Sequence, residues 1–183
     1  MNFARPILIL VAALLAVFAE TQLNLPERLL AVRIHLLPTI VVYAALRSGL
    51  GMLTLTAAIG GLWLDSLSAN PLGVSAIPLI LAGVLMRHFD SMLLRDLPYA
   101  QFMLGAGAAA MLFFVSLGIL LSVHLEPVIG WATLWQGAVS SVGTGALTPL
   151  VFFVLDRIDR ALTYQPAPES SFRQDREIKR GRT

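Results

Sequence analysis

Cysteine is absent from the 183-residue chain, which excludes disulfides, thiol nucleophiles and thiolate metal sites. Charge is scarce as well. Charged residues make up 13% of the sequence, against ~25% in an average soluble domain. Of the 24 charged residues, 12 fall between Asp156 and Thr183, which leaves 12 for the first 155 positions. A domain folded in water cannot cover its surface with so few. The formal net charge of +2 is carried by that C-terminal stretch, with seven Lys/Arg against five Asp/Glu, so no basic face is available for nucleic acid. Also missing are a phosphate-binding glycine loop, a His-Glu-x-x-His pair, a nucleophile elbow and a carboxylate cluster able to hold Mg²⁺. His35, His88 and His124 lie at different helix ends or loops, too scattered to share a metal. Neither a catalytic centre nor a cofactor is expected.

What the chain has is apolar length: 57% of its residues are hydrophobic. A helix crosses a ~30 Å hydrocarbon core with ~20 such residues. Six runs qualify: Pro6–Leu23, Leu29–Leu46, Leu50–Ser66, Leu72–Phe89, Tyr99–Val123 and Trp131–Leu155. They are continuously apolar, without the alternation of a membrane β-barrel. The expected fold is therefore an all-α integral membrane protein, with six transmembrane helices in residues 1–155 and a charged cytoplasmic tail over 156–183. Arg5, with the stretch Ile7–Phe18 and small residues at Val17 and Ala19, also fits a cleaved secretory signal. The run continues to Leu25, which favours an uncleaved first span.

Orientation follows from the excess of Lys and Arg on the cytoplasmic side of membrane proteins. With both termini inside, eleven basic residues lie in inner segments, among them Arg5, Arg47, Arg87 and Arg157, and only Arg28 and Arg33 lie outside. An even number of spans satisfies the whole chain.

Asp65 is the clearest ionisable residue near a span. It stands 18 residues past Arg47, about 27 Å along a helix, and so near the outer surface. One reading has it end the third helix, solvated at the interface and accepting amides of the next turn, aided by Ser66, Ser68 and Asn70. The other pairs it with a cation, Arg33 being the internal candidate. Leu72–Met86 is short for a crossing, so the turn before it either sinks below the outer surface or leaves Arg87 and His88 snorkelling at the inner one. Small residues at four-residue spacing mark close helix packing: Gly137, Ser141 and Gly145 beside Thr144 and Thr148, Gly105 and Ala109, Ala57 and Gly61, Ala12 and Ala16. Pro38, Pro78 and Pro149 fall inside the expected spans, Pro149 late enough to kink its helix.

The stretch Gly61-Leu-Trp-Leu-Asp65-Ser-Leu-Ser-Ala-Asn-Pro71-Leu72-Gly73-Val-Ser-Ala76 resembles the signature of the MreD family of bacterial rod-shape-determining membrane proteins. Gly61, Asp65, Pro71, Leu72 and Gly73 occupy its pattern. Length, layout and inner termini agree along nearly the whole chain. The second helix departs from the family's Arg-Pro-Asp-like opening, reading Arg33-Ile34-His35-Leu36-Leu37-Pro38, and the segment after Leu155 is longer than usual. The resemblance implies a non-enzymatic member of the cell-elongation complex in the bacterial cytoplasmic membrane. Its partner would be an MreC-like single-span protein and, through it, MreB filaments and the RodA–penicillin-binding synthase pair. It also implies a fold similar to the substrate-binding subunits of energy-coupling-factor vitamin transporters, and such a subunit is the alternative function. Against that alternative, the outer segments hold few polar or aromatic side chains for a hydrophilic vitamin, and Trp63 and Trp131 fit a headgroup belt.

Overall fold

The computed structural model describes residues 4–22, 35–68, 71–88, 97–122 and 130–163. Among these the chain is all-helical: α1 (Ala4–Gln22), α2 (Leu37–Arg47), α3 (Leu50–Leu67), α4 (Ala76–His88), α5 (Pro98–Ser122) and α6 (Trp131–Thr163). Four helices, α1, α3, α5 and α6, are long and apolar enough to cross a membrane. The outer faces of these helices carry large apolar side chains, among them Leu15, Phe18, Phe114 and Phe153, each more than half exposed.

Of the two short helices, α2 is enclosed, whereas α4 buries one face and exposes Ile77, Leu81 and Leu85 on the other. At 11 residues, α2 is about 16 Å long, and every residue from Leu37 to Leu46 is buried. A helix apolar on all sides is stable only when enclosed, and α2 packs against each of the other five. The short α4, 13 residues, lies between α2, α3 and α5. Pro38 sits in the first turn of α2 and Pro78 in the first turn of α4. There a missing N–H breaks no helical bond, so both prolines open their helices instead of falling within a longer one as the sequence placed them. Pro149 lies within α6, which continues past it.

The central contact is a parallel seam between α2 and α6. The His35 backbone N–H donates to Thr144 Oγ1 at 3.3 Å, and the Thr39 and Thr148 hydroxyls meet at 3.2 Å. Next along, the Tyr43 ring meets the Phe152 ring edge-on, with centroids 5.1 Å apart. Finally, Arg47 Nη2 donates to Asp156 Oδ2 at 2.9 Å. Both strips advance four residues per contact, the ridge spacing at which helix surfaces interdigitate. Replacing Thr39 and Thr148 by valine, singly and together, should show a coupling of about 0.6 kcal/mol, the usual worth of an interhelical side-chain bond in lipid. Unfolding of the four forms in one detergent measures it, and strictly additive losses would contradict a direct hydroxyl pair.

The sequence-predicted packing stripe on α6 lies inside the fold. A Cβ at Gly145 would come within 2.9 Å of Phe102 O and of the Ala106 side chain on α5, and one at Gly137 within 2.6 Å of the Phe113 ring. The Ser141 hydroxyl bonds back to Gly137 O at 2.7 Å. On the facing helix, Gly105 lies directly beneath Thr148. The seam and the α5–α6 contact thus meet at one threonine.

Two boundaries differ from the sequence reading. Helix α4 begins at Ala76 rather than Leu72, because residues 72–75 form a turn. Helix α6 runs on to Thr163, so residues 156–163, expected at the start of a charged tail, are its last turns. The expected second span begins at Leu29, and residues 29–34 lie outside the described residues, as do residues 164–183.

Candidate functional site

The resemblance motif forms a corner between α3 and α4. Gly61 lies against the α4 backbone at Ala76: a Cβ here would fall within 2.8 Å of Ala76 N and 2.9 Å of Ala76 Cβ. Glycine is what lets the two helices approach this closely. One turn later on the same helix comes Asp65, 1% exposed. Its Oδ2 accepts the Gly73 N–H at 2.8 Å, and both carboxylate oxygens accept the Ser75 N–H at 3.1 Å. A helix begins with N–H groups that have no intrahelical partner, and negative charge is favoured at that end. Asp65 therefore caps α4 from the neighbouring helix. Gly73 has φ +98°, a left-handed conformation that costs glycine little, and its carbonyl accepts the Ile77 N–H at 3.1 Å. The turn is also tied to α5, where Ser116 Oγ donates to Val74 O at 3.1 Å.

Of the motif residues, Gly61 and Asp65 face inward and hold the corner, and Gly73 makes its bend. Pro71 and Leu72 form the tip; both are exposed, Leu72 at 71%. The expectation of amide acceptance by Asp65 matches this geometry, but the carboxylate is buried rather than solvated at an interface. Arg33, the ion-pair candidate, lies outside the described residues, as does Asn70. Ser66 and Ser68 bond to carbonyls of their own helix, Trp63 O and Asp65 O, and leave the corner to Asp65.

A second polar centre lies at the opposite end of α3, where cations gather. Arg5 Nη2 and Asp159 Oδ2 are 2.8 Å apart, and Arg5 Nε also reaches both carboxylate oxygens. Asp156 accepts from Tyr43 Oη at 3.0 Å as well as from Arg47. Arg87 of α4 reaches back to the end of α2, donating to Ala45 O at 3.4 Å and to Ser48 O. Helix C-termini leave carbonyls free and favour positive charge, so Arg87 does for α2 what Asp65 does for α4. Each short helix has one terminus capped by a charge of the fitting sign from another helix, α4 by Asp65 of α3 and α2 by Arg87 of α4.

Sequence reasoning missed Glu20. Its carboxylate is 8% exposed and bonds to His35 Nδ1 through Oε1, while Oε2 has no hydrogen-bond partner among the described residues. His35 is therefore joined to α1 through this pair and to α6 through its backbone, and is not an isolated loop histidine. Spacing does carry a signal for the seam: His35, Thr39, Tyr43 and Arg47 recur every fourth residue, as do Thr144, Thr148, Phe152 and Asp156. Nothing in the sequence says that the two strips face each other.

Between α1 and α3 runs an apolar groove of about 170 Å³, lined by Leu10, Leu14 and Val17 on one side and Ile59, Gly60 and Trp63 on the other. Thr56, its one hydroxyl, donates to Met52 O at 2.8 Å. Among the described residues no group of three or more His, Asp or Glu is placed to hold a metal ion. No family profile, curated protein or solved structure matches the chain.

Proposed function

We propose that this chain is a non-enzymatic, multi-pass component of the bacterial cytoplasmic membrane that works by holding a partner, in the manner of the MreD proteins its motif resembles. Six crossings, with α2 and α4 as short ones, leave both termini on the cytoplasmic side. Three observations support the membrane placement. The exterior is apolar. Arg5, Arg47, Arg87, Arg157 and Arg160 all lie at one end, and Trp63, Trp131 and Trp135 toward the other, as expected for an inner face and an outer aromatic belt. The parallel α2–α6 seam fits two spans of even number. A short helix inside a bilayer must have its ends satisfied by protein, and Asp65 and Arg87 supply that.

The observation that carries the functional reading is the split within the motif. Its inward residues build a rigid corner, and its tip, Pro71–Leu72, is presented outward at the far end from the arginines. A preformed apolar tip of this kind suits docking of another protein with little ordering cost. The partner in this reading is an MreC-like single-span protein, through which the bundle connects to MreB, RodA and its penicillin-binding partner.

Leu72→Glu tests this reading. The side chain is exposed, so thermal stability in detergent should stay unchanged, while retention of the MreC-like protein on affinity-tagged material should fall at least about tenfold, as for loss of a central apolar anchor. Full retention by Leu72→Glu, or nanomolar binding of a vitamin by purified protein, would displace it.

A further inference from the structure

The last turns of α6 separate their charges by face. Asp156 and Asp159 turn inward and are met by Arg47 and Arg5. Arg157 and Arg160 are exposed. Arg160 Nε donates to the Asp156 carbonyl of its own helix at 3.1 Å, and neither arginine meets a carboxylate among the described residues. The acids of this segment are thus already neutralised by the core, and the outward charge is positive. Just before these arginines on the same exposed side stand Leu150 and Phe153, 59% and 62% exposed. Phe153, Arg157 and Arg160 follow at spacings of four and three, the spacing of neighbours on one helical face.

We infer that this face of α6 is a binding site for an anionic phospholipid. The headgroup phosphate lies between the Arg157 and Arg160 guanidiniums, and an acyl chain lies along Phe153 and Leu150. Guanidinium groups pair with phosphate through paired, charge-assisted hydrogen bonds, and the apolar residues begin one turn further into the hydrocarbon. Position agrees with chemistry, since Arg157 adjoins Asp156, at the level where Arg47 and Tyr43 mark the end of the apolar core. The inference rests on the membrane reading above and adds to it a lipid preference and a place for it.

The test uses the full chain in nanodiscs of equimolar phosphatidylglycerol and phosphatidylcholine, released into the gas phase for native mass spectrometry. The wild type should retain phosphatidylglycerol in preference to phosphatidylcholine. Arg157→Gln with Arg160→Gln should lower that retention about thirtyfold, given ~1 kcal/mol for each of the two basic residues at an anionic surface. Arg157→Lys with Arg160→Lys should restore the charge attraction but lose the paired geometry, falling between the two. Equal retention of both lipids by the wild type would overturn the inference, as would unchanged retention in the glutamine variant. Should the glutamine variant fail to enter nanodiscs, the wild-type lipid preference alone decides. A chain that stays in the aqueous fraction without detergent refutes the membrane reading itself, a result separate from any lipid outcome.

Discussion

Asp65→Ala should lower the stability of the fold by about 3–5 kcal/mol, read from thermal or denaturant unfolding in detergent. The substitution strips the Gly73 and Ser75 amides of the carboxylate that accepts them. Hydrogen bonds to charged groups contribute roughly 1.5–3 kcal/mol each, and a site that is 1% exposed admits little water to replace them. Asp65→Asn keeps one acceptor oxygen and should lose about half as much. Asp65→Arg should be worst, because it sets a cation against the positive end of α4. Partner assembly should follow the same order, since Pro71 and Leu72 are carried on the turn that Asp65 holds. Near-wild-type stability in both Asp65→Asn and Asp65→Arg would show that the carboxylate is not what fixes this corner.

Gly61→Leu should rival that loss, with Gly61→Ala costing about 2 kcal/mol, within the range of overpacked sites. The atoms that a Cβ would strike are Ala76 backbone atoms and its own Cβ, so no flexible side chain can swing away, and α3 and α4 must separate. The contrast is Gly118, within α5 and with nothing near its would-be Cβ. There Gly118→Ala should leave stability unchanged or raise it by up to ~1 kcal/mol, by the helix preference of alanine. Opposite signs at the two glycines distinguish close approach from backbone flexibility; equal effects would remove the close-packing account of Gly61.

The long apolar helices were legible because a helix able to cross hydrocarbon needs a continuous apolar run: Leu50–Ser66 differs from the observed α3 by one residue at its end, and Tyr99–Val123 from α5 by one residue at each end. Less legible was where apolar length stops being helix. Leu72 and Val74 read as span, but a positive φ at Gly73 turns the chain there, and hydropathy is blind to φ. The end of α6 misled for the opposite reason. Its acids and arginines look like solvated tail in a linear reading, whereas the helix sorts Asp156 and Asp159 inward to cations from distant parts of the chain. The pairing of Glu20 with His35 escaped notice because it depends on how α1 meets the start of α2, which no local pattern encodes. Asp65 stood out in the sequence as the ionisable residue nearest a span and read as solvated at an interface, whereas the fold buries it, and that difference sets the size of the expected mutational effect.

The absence of cysteine makes the central claim directly measurable, since a single introduced thiol is the only one in the chain. Gly49 and Gly130 both have open space where a Cβ would go; Gly49 follows Arg47, which pairs with Asp156 toward the C-terminal end of α6, and Gly130 precedes the start of α6, so the two lie at opposite ends of the fold. In intact cells, a membrane-impermeant maleimide should label Gly130→Cys, and should label Gly49→Cys only once the membrane has been opened. Labelling of Gly49→Cys from outside, or equal labelling of both sites in intact cells, would contradict a lipid-solvated bundle whose arginine end faces the cytoplasm.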